Sequence, residues 1–152
     1  MIDSLIQFAI DSEIEVTTWD FKPPVRAIYI HLPDSKPVIA YCPKLENDTC
    51  LFRTVFSEEL GHHFTSVGHA LPKEYYNYAD RLVISKAEYK AMRWGANFLM
   101  PISQLIYAAK EGNKEIWQIA DYFTVTEEFV KFRLSLPDYQ EFKTANRRLC
   151  SF

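Results

Sequence analysis

Hydrophobic positions change their period several times along the chain, and each change predicts an element. In the opening segment Ile2, Leu5, Ile6, Ala9 and Ile10 recur at three- and four-residue steps, which predicts a helix. Glu15-Val16-Thr17-Thr18-Trp19 then turns to strand composition. After Phe21-Lys22-Pro23-Pro24, two β-rich runs, Ala27-Ile28-Tyr29-Ile30-His31-Leu32 and Pro37-Val38-Ile39-Ala40-Tyr41-Cys42, flank Pro33-Asp34-Ser35-Lys36 and read as a hairpin. From Leu51 to about Ser66 the helical period returns, with Phe52, Val55, Phe56, Leu60, Phe64 and Val67 on one stripe. Gly68-His69-Ala70-Leu71-Pro72 breaks this helix, and Tyr75-Tyr76-Asn77-Tyr78 opens a polar, aromatic connection to a second helix from about Lys86 to Leu99. Short helices follow Met100-Pro101: one reaching Glu111-Gly112-Asn113, one over Glu115 to Phe123, and one that Thr126 caps ahead of Glu127-Glu128.

This succession gives an α+β chain with one hydrophobic core, divided into a core region of residues 1–101 and a helical C-terminal region of residues 102–152 that packs on it as a single unit. Composition excludes several classes. Hydrophobic residues make up 48% and charged residues 24%, with four glycines, so the chain is neither disordered nor collagen-like. No apolar run approaches the ~20 residues of a membrane helix, and the amino-terminal segment carries acids where a signal peptide needs a basic head. A cytoplasmic location without membrane association is expected. Cys42, Cys50 and Cys150 are odd in number and lack metal-finger spacing, which favours free thiols. The net charge of −3 gives no general attraction to phosphate backbones, so a protein or peptide partner is expected rather than nucleic acid.

The stretch Glu58-Glu59-Leu60-Gly61-His62 carries the candidate chemistry. On a helix, residues four apart stand one above the other, so Glu58 and His62 can converge on one ion while Glu59, one step round, faces a water beside it. This is the geometry of the H-E-x-x-H metalloprotease helix with glutamate in the first position. Glu59 and His63 form a competing register. At about 100° per residue, His63 points into the middle of the apolar stripe and reads as a core histidine bonded to something buried. Glu58 and His62 lie at the rim of the stripe, so theirs is the favoured register. A catalytic zinc site needs a third protein ligand and an open position. Glu88, 26 residues after His62, is the candidate, because Ala91 and Gly95 follow on nearly the same face and let two helices approach closely. His31 reads as structural.

Arg53-Thr54-Val55-Phe56-Ser57-Glu58-Glu59-Leu60-Gly61-His62-His63-Phe64, then Glu88-Tyr89-Lys90-Ala91-Met92-Arg93-Trp94, then Phe98-Leu99-Met100-Pro101, together resemble the ImmA/IrrE family of metallopeptidases. The family pattern is an arginine five residues before an H-E-L-G-H helix, followed by E-x-x-A-x-x-[FW] and L-[MI]-P. The resemblance runs from about residue 26 to 130 and includes Ile119-Ala120-Asp121-Tyr122-Phe123 and Val125-Thr126-Glu127-Glu128. It implies a zincin-like fold, with a small β-sheet packed on the active-site helix, and a cytoplasmic peptidase of phage or mobile-element type whose substrate is a helix-turn-helix repressor. Carried over, it makes Glu58, His62 and Glu88 the metal ligands and Glu59 the general base. The departure is Glu58, where the family has histidine, and we read it as a variant of the motif.

That departure has an electrostatic consequence. Two carboxylates and a neutral imidazole around a divalent ion sum to zero formal charge, whereas two histidines and one carboxylate leave +1, so the ion here is the weaker Lewis acid. Oxygen donors are also harder than imidazole, which makes Mn2+ or Fe2+ credible beside Zn2+, the first choice. Donors for an oxyanion are sought among His69, Tyr75, Tyr76 and Tyr78, and Arg53 is expected either to pair with a carboxylate of the site or to be exposed. Two rival readings stand beside the peptidase. One is a zincin-fold protein that binds a repressor or other partner without hydrolysis. The other is a DNA-binding regulator, suggested by the helix-turn-helix rhythm of Trp117 to Glu128 but opposed by the two glutamates that open its second helix.

Overall fold

The computed structural model describes residues 2–65 and 78–146. Among the described residues the elements are α1 (Ile2–Asp11), β1 (Glu15–Thr18), β2 (Ala27–Ile30), β3 (Val38–Tyr41), a short 3-10 helix (Pro43–Asn47), α2 (Thr49–Thr65), α3 (Tyr78–Leu99), α4 (Ile102–Lys110), α5 (Ile116–Phe123), α6 (Glu127–Ser135) and α7 (Pro137–Ala145). The fold is α+β and zincin-like, with a small three-stranded sheet, a long central helix and a helical C-terminal region. No helix among the described residues is long and apolar enough to cross a membrane.

The predicted hairpin forms, with β2 antiparallel to β3 and Tyr29 opposite Ile39. β1 joins the other side of β3 in parallel, so the strand order is β1-β3-β2 and β2 is an edge. Being central, β3 is covered on both faces, and Ile39, Ala40 and Tyr41 are all buried. On β2 the period of two survives, burying Tyr29 between less covered neighbours.

α2 lies across this sheet. Phe52, Phe56 and Leu60, at the predicted spacing, have no exposed surface. The rings of Phe52 and Phe56 stack at 5.1 Å, and Tyr41 meets both edge-on. The opposite side of α2 is covered by α3. There Ser57 and Gly61 face Ala91 and Gly95, so that a Cβ on Gly61 would stand 2.8 Å from the Ala91 Cα. The missing side chain is what allows the two backbones to touch.

α3 begins at Tyr78, about eight residues before the start expected near Lys86. Its added turns, Ala79-Asp80-Arg81-Leu82-Val83-Ile84-Ser85, contain neither glycine nor proline, so nothing in them stops a helix.

The C-terminal helices are tied to the same core. One apolar cluster runs from Leu5 to Tyr139 and takes residues from α1, the sheet and every following helix except α7's exposed face. Arg133, 1% exposed, donates from Nε to the Met100 carbonyl at the end of α3 (2.8 Å) and forks onto Asp138 at 3.1 and 2.9 Å. Thr126 caps α6 as predicted, its hydroxyl accepting from the Phe129 N–H at 3.3 Å. Cys42 and Cys50 are free thiols. Cys150 lies outside the described residues.

Candidate metal centre

The close passage of α2 and α3 decides what surrounds the motif helix. Because α3 covers the side of α2 that the apolar stripe leaves open, His62 is drawn under it and is only 4% exposed. This corrects the expected positions of the two histidines: His62 is buried rather than at a rim, and His63 is half-buried rather than central in the core. The stripe alone marks the sheet-facing side; it carries no sign that a second helix closes over the other. His63 does bond to a buried group as expected, since the Tyr29 hydroxyl lies 3.0 Å from its Nδ1. Burial, with His31 nearby as a smaller contribution, pushes the His63 pKa down, so the ring is neutral near pH 7. The phenol donates to Nδ1 in the tautomer whose ring proton is on Nε2, and accepts from it in the other.

Glu58 and His62 from α2 and Glu88 from α3 converge. One candidate ligand atom from each of the three lies within 4.8 Å of the others. His62 Nε2 is 3.3 Å from Glu88 Oε2. That is an ion-pair distance when the ring is protonated, and the same two atoms would serve as donors to a shared ion. His62 Nδ1 is buried without a hydrogen-bond partner among the described residues, which leaves Nε2 as the nitrogen engaged at the cluster. The donor set of two carboxylates and one imidazole suits a divalent cation.

The electrostatics of the cluster follow from crowding three carboxylates round one ring. Burial alone lowers the His62 pKa, but the Glu88 hydrogen bond and the charges of Glu59, Glu88 and Glu58 outweigh it, and the net shift is upward. Burial pushes Glu59 up to about 7; His62 opposes this, Glu58 and Glu88 add to it, and a hydrogen bond from the Tyr29 backbone amide offsets part of it. A divalent ion held by these groups would offset the repulsion and favour their deprotonated forms.

Arg53 does neither of the things expected of it. Its Nε donates to the Thr124 carbonyl at 3.1 Å and its Nη2 to the Phe123 carbonyl at 3.4 Å. It therefore closes the C-terminus of α5, where a cation is favoured by the unpaired carbonyls. Thr54 adds a bond from the Thr126 amide to its hydroxyl at 3.1 Å. His69, Tyr75 and Tyr76 lie outside the described residues, as does the Tyr78 side chain. Tyr29, which contacts both Glu59 and His63, was not foreseen. Its strand pattern marks it as inward-facing and nothing more.

A small sheet laid on a helix whose donors meet a third from the next helix makes an α+β protein with a candidate metal centre. The chain belongs to the ImmA/IrrE family: residues 25–135 match its IrrE N-terminal-like domain, peptidase M78. Comparison with curated proteins and with solved structures gives no match.

Proposed function

We propose that the protein is a metal-dependent endopeptidase of the cytoplasm that cleaves, and so inactivates, a helix-turn-helix repressor of phage or mobile-element type. The convergence of Glu58, His62 and Glu88 within 4.8 Å, in a chain of this peptidase family, carries the reading. In it these three residues hold the ion, Zn2+ before Mn2+ or Fe2+. Such an ion supplies Lewis acidity, which acidifies a water and polarises the scissile carbonyl. Glu59 takes the proton of the attacking water and returns it to the leaving amine. His62 would bind with a neutral ring, Nε2 being the nitrogen it offers to the ion that Glu88 shares. The repressor as substrate comes from the family resemblance, and the net negative charge agrees with a protein rather than a nucleic acid as partner.

The test is purified protein incubated with a candidate repressor, with and without chelator, beside Glu59→Gln. Cleavage that needs metal and is lost in the variant is expected. Full cleavage by Glu59→Gln would remove Glu59 from the role of base.

One feature favours a second reading. Glu58 makes the loaded site formally neutral and a weaker Lewis acid, which suits a zincin-fold protein that binds its partner without hydrolysis. Metal analysis separates the two, since the binding-only protein would keep its function when His62 or Glu88 is changed. A DNA-binding role is further disfavoured by Arg133, whose guanidinium is buried on Asp138, leaving Lys131 beside the exposed Glu127 and Glu128.

A further inference from the structure

The seam between α2 and α3 has two sides, and different side chains meet across each. On one side Phe64 of α2 stacks on Trp94 of α3 with ring centroids 4.7 Å apart. On the other stand Glu58, His62 and Glu88. Ala91 and Gly95 mark the line along which α3 touches α2, and at about 100° per residue Glu88 and Tyr89 fall to one side of that line and Trp94 to the other. Tyr89 is therefore on the side of the cluster.

The helix α6 borders the same side, held at both ends. Near its start the Thr126 amide donates to the Thr54 hydroxyl at 3.1 Å, and Thr54 stands one turn before Glu58 on α2. Near its end Phe132 meets the ring of Tyr89 edge-on at 5.8 Å, and Tyr89 directly follows Glu88, with about 3.8 Å between consecutive Cα atoms. What this corner offers is apolar surface. Tyr89 is 46% exposed although it is seated on Phe132, and Phe132 is half-buried and backed by the near-parallel ring of Phe129 at 6.4 Å. Met92, one turn on from Glu88 and half-buried, adds an adaptable apolar side chain.

We infer that Tyr89, Met92 and Phe132 form the wall that receives an apolar side chain of the peptide substrate beside the scissile bond, and so determine specificity there. An aromatic ring left in water next to a polar cluster recovers free energy when an apolar group covers it. These residues neither hold the ion nor move a proton. The inference rests on the metallopeptidase reading, in which Glu88 holds the ion that polarises the scissile carbonyl.

The test compares two hydroxamates on the cobalt-loaded protein, followed by visible absorption. Acetohydroxamate and 3-phenylpropanohydroxamate chelate a divalent ion through the same two oxygens and differ by a benzyl group, so their affinity ratio reads apolar contact beside the ion without any peptide substrate. The wild type is expected to bind the phenyl compound about tenfold more tightly, the effect of partly burying one ring. In Tyr89→Ala, with cobalt still stoichiometric, the ratio should fall to about twofold or less, and Phe132→Ala should do the same. Tyr89→Phe, which keeps the ring, should hold the ratio within about twofold of wild type. A merely structural role would weaken both compounds alike and leave the ratio unchanged. A wild-type ratio near one, or a ratio kept in Tyr89→Ala with cobalt bound, overturns the inference and leaves the metallopeptidase reading intact. Failure of the wild type to bind stoichiometric cobalt, or of both hydroxamates to reach the bound ion, overturns that reading and the inference with it. Should Phe132→Ala not fold, the exposed Tyr89 and its two variants decide the matter.

Discussion

Gly95 lies so close to Ser57 that a Cβ at residue 95 would stand 2.7 Å from the Ser57 carbonyl oxygen and 2.9 Å from its Oγ. Backbone, not a flexible side-chain tip, blocks the space, and the same holds at Gly61 against Ala91. Helix propensity alone would favour alanine over glycine by about 1 kcal/mol, so the two effects have opposite signs. We expect the clash to win: Gly61→Ala should destabilise by about 2 kcal/mol or more and lower the melting temperature by roughly 5 °C. It should also weaken metal binding, since α2 and α3 must part. A thermal melt of Gly61→Ala equal to or above wild type would contradict the helix packing.

Metal removal should be felt as stability. The three candidate ligands tie α2 to α3, and an ion held only by the folded chain adds about 2.7 kcal/mol when free metal exceeds Kd a hundredfold. Melts with chelator and with added Zn2+ or Mn2+ should therefore differ by several degrees. Glu88→Ala should abolish that difference without unfolding the chain. An equal metal-dependent rise in Glu88→Ala would place the ion elsewhere.

Arg53 makes a different prediction from the site residues. Its bonds to the Phe123 and Thr124 carbonyls are charge-assisted, a type worth about 1.5–3 kcal/mol, and Arg53→Ala should lower the urea midpoint accordingly while leaving metal stoichiometry unchanged. Loss of the ion with no loss of stability would instead assign Arg53 to the cluster.

Tyr41 should give the protein an alkaline limit. Burial, then the hydrogen bond and charge of Glu46, with a smaller contribution from Asp3, push its phenol up to about 12. The folded state thus keeps a proton that the unfolded chain releases near 10, so this contribution is complete below pH 10 and is lost as pH rises through about 12. The loss is on the order of 2 kcal/mol. Urea titrations between pH 9 and 12 should show it in the wild type and not in Tyr41→Phe.

The sequence carried the elements because their periods are local. Phe52, Phe56 and Leu60 announce a sheet-facing helix, and the alternation around Tyr29 announces a strand. Glu88 was legible for a similar reason, since Ala91 and Gly95 advertise a close helix contact a turn or two away. The burial of His62 was not legible, because small residues announce a close helix contact without showing how much of the adjoining side of α2 it covers. Arg53 misled for the same reason: its partners, the carbonyls of Phe123 and Thr124, are some seventy residues distant and are backbone groups, which no side-chain pattern reveals. The length of α3 was underestimated because Ala79 to Ser85 follow a tyrosine-rich segment that reads as a connection, although no glycine or proline among them stops a helix.

The candidate donors all come from two neighbouring helices between residues 58 and 88, whereas the groups around Glu59 include a strand residue at position 29. The two sets close over chain spans of equal length, 30 residues from Glu58 to Glu88 and 30 from Tyr29 to Glu59, so loop closure favours neither. The helix α2 is thus a shared wall, packed on the sheet by one side and on α3 by the other, and a shift of it is felt on both sides at once.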